Sequence, residues 1–458
     1  MSGRRLTIVG GGWAGLAAAV AAADTGWQVT VLEAARHWGG RARRLTVRDA
    51  DGAAWFLDNG QHLLIGAYTA TLGLLRRLGV VPQACVQRLP LTLRTPQGDG
   101  VALPRWGAHL PAALAPLAVA VGLLGARGWT LRERLATLQV TLRWQRQGFA
   151  CTPATTVADL CAPLPERVRR ELFELLCVAA LNTPPAQASG AVFLRVLHDA
   201  LLGSTPPPYA ASDLLVPRVD LGALLPDAAV AALRRRGARP LTGARAVALQ
   251  HGDTDARWQV RLADGTTLSS DAVVLACPVW EAARLLAPLG ADEDPIRRWC
   301  ASARALTHLP IATVYLRPPP QWRWPATAPL LALRSDPASA PAQFVFWHRR
   351  MGAPSPYLAW VASAPEPALA TDREALTRAV QAQARTQLGL AHTEPLLTVI
   401  EKRATFACTA GLQRPPATIA PGLMAAGDAI DGPYPATLEG AVRSGLAAAA
   451  ALSAAFSV

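Results

Sequence analysis

The sequence predicts an α/β fold: a Rossmann-like dinucleotide-binding domain assembled from three separated segments, plus a second, α+β domain that holds the substrate. Three observations predict it. A strand, a glycine-rich turn, a helix and a second strand open the chain within about thirty residues. Strand-rich sequence returns at residues 239–275, and a last strand and helix occupy residues 422–455. These three regions are expected to build one domain.

The opening unit follows from local residue preferences. Residues 6–9 form an apolar run, and the glycines at 10–12 interrupt it. Residues 14–23 are mostly alanine, which favours a helix, and residues 29–32 form a second apolar run. This order of elements is typical of the start of a Rossmann unit.

The middle region has the pattern of strands. Residues 258–262 alternate between apolar and polar side chains, Asp264 and Gly265 predict a turn, and residues 272–276 are continuously apolar. A strand at 422–426 and a helix at 440–455 then close the domain.

Two intervening regions have a different character. One is mainly helical with proline breaks, and the other mixes strands and Trp- and Pro-rich turns with a single helix at 372–388. The predicted boundaries are 1–70, 206–287 and 396–458 for the dinucleotide domain, and 71–205 (helical) and 288–395 (mixed sheet and helix) for the substrate domain.

Composition limits the possible partners. The 458 residues carry a net charge of +13, but Lys402 is the only lysine and the arginines are scattered, which argues against nucleic acid and leaves an anionic membrane surface as the expected partner of this charge. The seven cysteines form no CxxC pair and no zinc spacing. We therefore expect reduced thiols, no metal, and a cytoplasmic protein on the inner face of the cell membrane.

One stretch, residues 106–126, is apolar enough to be considered as a membrane segment. Pro111 and Pro116 argue against a simple spanning helix. A buried helix and a helix lying in the membrane interface both remain open interpretations, ahead of a true span.

The clearest motif is GxGxxG, with glycines at Gly10, Gly12 and Gly15. The first glycine permits a tight turn, the second lets the backbone approach a pyrophosphate, and the third lets the helix pack on the strand. Trp13 and Ala14 lie between the last two glycines and are included among the expected contacts to the cofactor. Glu33, at the end of the next strand, is expected to accept hydrogen bonds from both ribose hydroxyls.

The residues that follow resemble a flavin-binding sequence. Arg36 and the run Gly39-Gly40-Arg41 resemble the RxxGGR extension of the flavin amine oxidase and carotenoid desaturase superfamily. The resemblance implies an FAD-binding domain of the glutathione-reductase type, with Gly40 and Arg41 at the pyrophosphate. The resemblance also implies a backbone contact to the adenine from the middle segment, for which Val247 is the candidate.

The C-terminal segment resembles the closing flavin motif of the same superfamily. It comprises residues 426–428 and 437–445. The resemblance implies that Asp428 holds the ribityl chain, with Gly427 among the residues that contact the cofactor. It also implies that the helix beginning at Thr437 and Leu438 directs its positive end at the flavin.

Other segments narrow the resemblance. Residues 58–68, 180–185 and 401–405 resemble the squalene-associated FAD-dependent desaturases, specifically the hydroxysqualene dehydroxylase family of hopanoid and squalene synthesis. The resemblance implies noncovalent FAD, with Gly60 and Gln61 against the isoalloxazine ring. It also implies a lipophilic C30 polyprenoid substrate, from which reduced FAD removes a hydroxyl by hydride transfer.

The proton donor for such a reaction is expected to be His62, because imidazole titrates near neutrality and its loop should lie at the flavin. A histidine that only shapes the loop is an equally open interpretation. Tyr209, Tyr434 and Cys408 are the other candidates, and Cys408 could also form a covalent flavin link. Asp58 is expected to be a structural carboxylate at a strand end.

Two other enzyme classes share these motifs. A carotenoid-type desaturase would oxidise a polyprenoid instead of reducing it, and the motifs do not specify the direction of hydride flow or the electron donor. An amine oxidase is the second alternative. Its usual lysine beside the flavin is not matched by the setting of Lys402, which makes this class less favoured.

Overall fold

The computed structural model describes residues 4–110, 114–252, 257–289, 295–351 and 355–456. Its central feature is a six-stranded sheet in which five neighbouring strands are parallel and the sixth, at one edge, is antiparallel. This confirms the predicted mixed α/β fold with a parallel central sheet. In spatial order the strands are Arg239–Thr242, Gln28–Glu33, Arg5–Val9, Ala272–Leu275, Leu423–Ala425 and Thr418–Ala420.

The first helix, Trp13–Asp24, packs against the last, Leu438–Ala455. Glycine makes this close approach possible. A β-carbon on Gly445 would lie 2.1 Å from the carbonyl oxygen of Ala14, which no real side chain tolerates. Residues at the N-termini of both helices line one cavity.

The remaining elements around the central sheet are short. A three-stranded antiparallel sheet covers one side, with strands Ala246–His251, Trp258–Leu262 and Thr267–Ser270. The accompanying helices are Leu221–Leu224, Pro226–Arg235, Val279–Leu286 and Pro295–Arg304.

A second large sheet has five antiparallel strands and packs its core against the helices Pro367–Thr371 and Arg373–Leu388. The aromatic side chains of Trp360 and Tyr315 are fully buried in this sheet. Its strands, in spatial order, are Leu330–Ala332, Phe344–Trp347, Leu358–Ser363, His308–Arg317 and Glu394–Phe406.

Most of residues 69–202 is helical, as the sequence predicts. The helices are Thr69–Arg77, Pro82–Cys85, Ala115–Leu124, Leu131–Arg146, Val157–Cys161, Glu166–Val168, Leu175–Leu181 and Gly190–Leu202, with a π-helical segment Arg169–Glu174 and a 3₁₀ turn Arg105–His109.

Three small sheets complete the described part of the fold. Their strands are Arg44–Arg48 with Ala54–Asp58, Leu64–Ile65 with Leu214–Pro217 and Val86–Leu89, and Thr92–Arg94 with Gly100–Ala102.

The stretch at 106–126 is not a wholly buried helix. It contains the 3₁₀ turn and the ten-residue helix Ala115–Leu124, of which one face is buried and the other exposes leucine and valine. Pro111 lies outside the described residues. Across the described part of the chain, no helix has both the length and the apolar character needed to cross a membrane.

Candidate functional site

A single cavity of about 870 Å³ joins the central sheet to the helical region. Its lining begins at the carboxyl ends of the parallel strands, where Val9, Leu32 and Ala426 lie. In open α/β sheets this edge is where ligands bind, because the strand connections diverge there and the helix N-termini face it.

The glycine-rich loop leaves space and hydrogen-bond donors for a phosphate group. Gly10 has a φ of +117°, which allows the tight turn, and Gly12 is the N-cap of the first helix without any side-chain cap. A β-carbon on Gly12 would meet no protein atom nearer than the Cα of Gly40, at 3.9 Å. The N–H groups of the first turn, at Trp13 and Ala14, are thus available to a pyrophosphate.

Glu33 lines the same part of the cavity, and two backbone groups orient it. Gly11 N–H donates to one carboxylate oxygen and Ala35 N–H to the other, both at 2.8 Å. Each oxygen keeps a further lone pair for a ribose hydroxyl. The carboxylate therefore shapes the glycine-rich loop as well as facing the cavity, a second function that the motif alone does not predict.

Arg41 and Asp428 were assigned by resemblance to different parts of the cofactor, but here they contact each other. Arg41 forms an ion pair with Asp428 and also donates to the carbonyl oxygen of Ala404. Burial by itself would lower the pKa of the Arg41 guanidinium. The negative charges of Asp428 and Glu401 outweigh burial, so the pKa is raised above its ordinary value. Both members of the pair line the cavity, as do their chain neighbours Gly40 and Gly427.

Three polar residues that were not assigned a role from sequence, Asn59, Glu401 and His308, also line the cavity. The side-chain amide of Asn59 donates to Glu401 at 3.2 Å and to the carbonyl of Arg41 at 3.2 Å. Burial lowers the pKa of His308, and the nearby positive charges of Arg41 and Arg403 lower it further. Glu401 opens the 401–405 segment of the family resemblance, whereas His308 begins a long strand outside every motif and is marked only by its neighbours in space.

Gly60, Gln61 and His62 form the loop expected at the flavin ring, and all three line the cavity. The ring Nδ1 of His62 lies 2.6 Å from the carbonyl oxygen of Gly60, which places the proton of the neutral ring on Nδ1. Burial first, and the charge of Arg41 in addition, lower the pKa of His62. His62 is consequently neutral near pH 7, with its Nε2 free to accept a proton.

Gln61 is held by a buried histidine from a distant strand end. The Nε2 of His348 lies 2.8 Å from the amide oxygen of Gln61, and burial lowers the pKa of His348 to about 4. A neutral His348 therefore donates to Gln61, whose amide nitrogen in turn donates to the carbonyl of His62 at 3.2 Å. The His348–Gln61 hydrogen bond joins residues that are 287 positions apart in the chain, so no local sequence motif indicates His348.

Asp58 has the structural role expected from sequence. Its side-chain carboxyl accepts a hydrogen bond from Leu221 N–H at 2.8 Å, and its backbone carbonyl accepts one from the Tyr315 hydroxyl at 2.9 Å. Burial raises the pKa of Asp58 to about 8. It does not line the cavity.

The other candidate proton donors differ in their positions. Tyr434 lines the cavity, whereas Tyr209 and Cys408 do not. Burial raises the pKa of Tyr434 to about 12, and its ring lies under the guanidinium of Arg443 at 5.1 Å. Burial also raises the pKa of Cys408 to about 11, so its thiol is neutral and unreactive near pH 7.

Val247, the expected adenine contact, does not line the cavity, whereas its neighbour Ala246 does. The carbonyl oxygen of Val247 instead accepts a hydrogen bond from Arg284 at 3.2 Å. Trp280 and Arg245 also line this end of the cavity.

The far half of the cavity is apolar. Among the described residues between 91 and 214, none of those lining it carries a charge. Their polar members are limited to Thr141, Asn182 and Ser212. The apolar lining includes Leu93, Val101, Leu103, Val119, Leu123, Trp144, Phe149, Leu172, Phe173, Phe193, Leu197 and Leu201.

Comparison with known proteins gives one family. The sequence model described as flavin containing amine oxidoreductase matches residues 13–453. The chain is 30% identical over 460 residues to a hydroxysqualene dehydroxylase from Rhodopseudomonas palustris, covering 96% of each chain. A second hydroxysqualene dehydroxylase, from Sinorhizobium fredii, is 26% identical over 464 residues, covering 97% of each chain.

Solved structures share the fold at low identity. An oxidoreductase from Methanosarcina mazei superimposes with a TM-score of 0.72 at 14% identity, covering 97% of this chain and 99% of the other. Cyclohexylamine oxidase from Brevibacterium oxydans gives a TM-score of 0.63 at 18% identity, with 100% of both chains covered.

Proposed function

Since the chain belongs to the flavin-containing amine oxidoreductase family and is an FAD-dependent oxidoreductase resembling hydroxysqualene dehydroxylases, we propose that it reduces hydroxysqualene to squalene. The overall reaction replaces a C–OH bond with a C–H bond. It consumes one hydride and one proton and releases water. The product is the C30 polyprenoid from which hopanoids are built.

One observation supports this proposal most directly: the polar, glycine-rich end and the uncharged, apolar end belong to the same cavity. A dinucleotide at the polar end would be held by the backbone of Gly12 and by Glu33, Arg41 and Asp428. A polyprenoid chain fits the apolar end, because burying its surface is favourable and requires no polar partner.

Reduced FAD, when bound along the polar end, supplies the hydride. The protein must supply a proton to the departing hydroxyl, and His62 is the residue that we propose for this step. Its Nδ1–H is held by the Gly60 carbonyl, so the transferred proton resides on Nε2. The lowered pKa makes the protonated ring a stronger acid than an ordinary imidazolium, which favours transfer to the substrate, although it reduces the fraction of the protein that carries this proton near pH 7.

Exclusion of water is the second contribution of the chain. Loss of an allylic hydroxyl leaves a carbocation that water would capture before the hydride arrives. The side chains of Phe149, Phe173 and Phe193 belong to the apolar lining and offer no nucleophile to such a cation. This environment supports an ionising reaction at carbon.

The amine oxidase alternative is not favoured by the lining of the cavity. Lys402, the only lysine, is exposed and does not line the cavity. Among the described residues that line the apolar half there is also no carboxylate to accompany an ammonium group, whose burial without a counter-charge is costly. A carotenoid-type desaturase fits the same apolar cavity and is separated by the direction of hydride flow.

The test is an anaerobic single-turnover experiment. The FAD-loaded protein is reduced with dithionite and mixed with hydroxysqualene, and flavin reoxidation is recorded while squalene is quantified. We expect one squalene for each flavin reoxidised. Reoxidation without squalene would contradict the proposal, and reduction of the oxidised protein by squalene or phytoene would favour the desaturase.

A further inference from the structure

Two neighbouring helices expose an unusual amount of apolar side chain. They are Ala115–Leu124 and Leu131–Arg146, which pack against each other and are linked where Arg134 donates to the carbonyl of Leu124 at 3.0 Å. We call their exposed apolar face, together with Trp106 and Leu114 which precede it in the chain, the outer leucine surface. With fractional exposures of 38–66%, its members are Trp106, Leu114, Leu117, Val121, Leu124, Leu131, Leu135 and Leu142.

The second helix has two apolar faces. Its inner face buries Thr137, Val140 and Trp144. At 3.6 residues per turn, Leu131, Leu135, Leu138 and Leu142 fall within an arc of about 60° on the opposite side. A surface helix of a water-soluble protein would carry polar residues there, so this face is suited to an apolar partner.

The helix Ala115–Leu124 likewise has one apolar face toward the cavity and one toward solvent. Val119 and Leu123 line the cavity, while Leu117, Val121 and Leu124 are exposed. The second helix likewise contributes Thr141 and Trp144 to the cavity. The apolar half of the cavity is therefore separated from the outer leucine surface by the thickness of one helix.

The charge around this surface has one dominant sign. Residues 105–146 contain six arginines and a single acidic residue, Glu133, whose carboxylate is engaged in the capping box with Thr130. Five of the arginines are exposed and Arg134 is half-buried. The arginines are Arg105, Arg127, Arg132, Arg134, Arg143 and Arg146.

We propose that the outer leucine surface docks on an anionic lipid bilayer, with the two helices lying in the interface and the arginines at the headgroups. Leucine on one face and arginine beside it are the features of an in-plane helix on anionic lipid. The extension to substrate delivery rests on the proposed function: a polyprenoid dissolved in the bilayer would cross one helix layer to reach the cavity.

The test measures docking without substrate. FAD-loaded protein is floated with vesicles of phosphatidylcholine containing 30% phosphatidylglycerol, and the partition coefficient is determined. Leu135→Glu combined with Leu142→Glu should lower it at least tenfold, because two apolar contacts are lost and two negative charges added. The matched control is Val81→Glu, since Val81 is 60% exposed on a different element, and it should change binding less than twofold.

A second set of variants tests the charge separately. Replacing Arg132, Arg143 and Arg146 by Gln should weaken binding about fivefold for each residue on anionic vesicles, and scarcely at all on pure phosphatidylcholine. Retained flavin absorbance and an unchanged melting temperature establish folding. Wild-type-like binding by both sets would overturn the proposal.

A second copy of this chain is the competing occupant. Light scattering over a hundredfold concentration range would reveal it: a dimer abolished by Leu135→Glu, in a protein that does not bind vesicles, would overturn the proposal. Activity separates this outcome from a failure of the proposed function. The leucine variants should turn over detergent-dispersed hydroxysqualene normally but lose activity on vesicle-embedded substrate, whereas a wrong reaction would give no squalene in either format.

Discussion

Replacing Glu33 by Gln tests the cofactor site most directly. In the structure both carboxylate oxygens accept backbone N–H bonds at 2.8 Å, from Gly11 and Ala35. An amide in the same place keeps only one acceptor and turns an NH₂ group toward the other N–H. It also removes the charge that strengthens the proposed ribose contacts.

The magnitude follows from the bonds that are lost. A hydrogen bond to a charged group is worth about 1.5–3 kcal/mol, so weakening one ribose contact corresponds to about a 10- to 150-fold increase in the Kd for FAD. The displaced loop N–H adds a cost of about 1–3 kcal/mol to the apoprotein, which should appear as a lower melting temperature even without FAD.

The assay is titration of the apoprotein with FAD, followed by quenching of flavin fluorescence, alongside thermal unfolding of the apoprotein. Glu394→Gln is the matched control, because Glu394 is half exposed and does not line the cavity. A Kd within threefold of wild type for Glu33→Gln would refute the assignment. An unchanged melting temperature would refute its second function in shaping the loop.

Three further predictions follow from the buried ionisable groups. His62→Ala should retain FAD and dithionite reduction but slow reoxidation by hydroxysqualene about 10²–10⁴-fold. Because the pKa of His62 is lowered, the wild-type rate should rise as the pH falls below 7, and a flat pH profile in stopped flow would exclude it as the acid. His348→Leu removes the donor to Gln61, so it should lower kcat more than it raises KM, with the His348→Gln variant restoring part of the loss; equal rates in all three proteins would contradict this positioning role. Burial raises the pKa of Asp58 to about 8, so its contribution to stability is complete below about pH 4 and is lost as the pH rises through 8. The melting temperature of Asp58→Asn should consequently vary less between pH 5 and 9 than that of wild type, and parallel curves would contradict the buried carboxyl.

Elements with strong local signals agree with the sequence-based prediction. The first helix, expected at 14–23, spans Trp13–Asp24, and the last, expected at 440–455, spans Leu438–Ala455. Glycines that allow a tight turn and alanines that favour a helix act over a few residues, so no distant contact is needed to specify these elements.

Contacts between segments that are distant in the chain could not be predicted from local sequence patterns. The ion pair between Arg41 and Asp428 joins residues 387 positions apart, and its partners were assigned separately to pyrophosphate and ribityl. The His348–Gln61 hydrogen bond and the position of Val247 outside the cavity lining likewise depend on how strands are placed against the cavity.

The sequence by itself determined the α/β class, the glycine-rich loop with Glu33, and the flavin-family membership, because these depend on short motifs and local backbone preferences. Only the tertiary structure decided which side chains meet. It made His62 a neutral ring held by the Gly60 carbonyl, since burial removes the water that would stabilise a charged imidazole. It also gave residues 115–146 an apolar face on both sides, because packing against the cavity buries one side of each helix and leaves the other exposed.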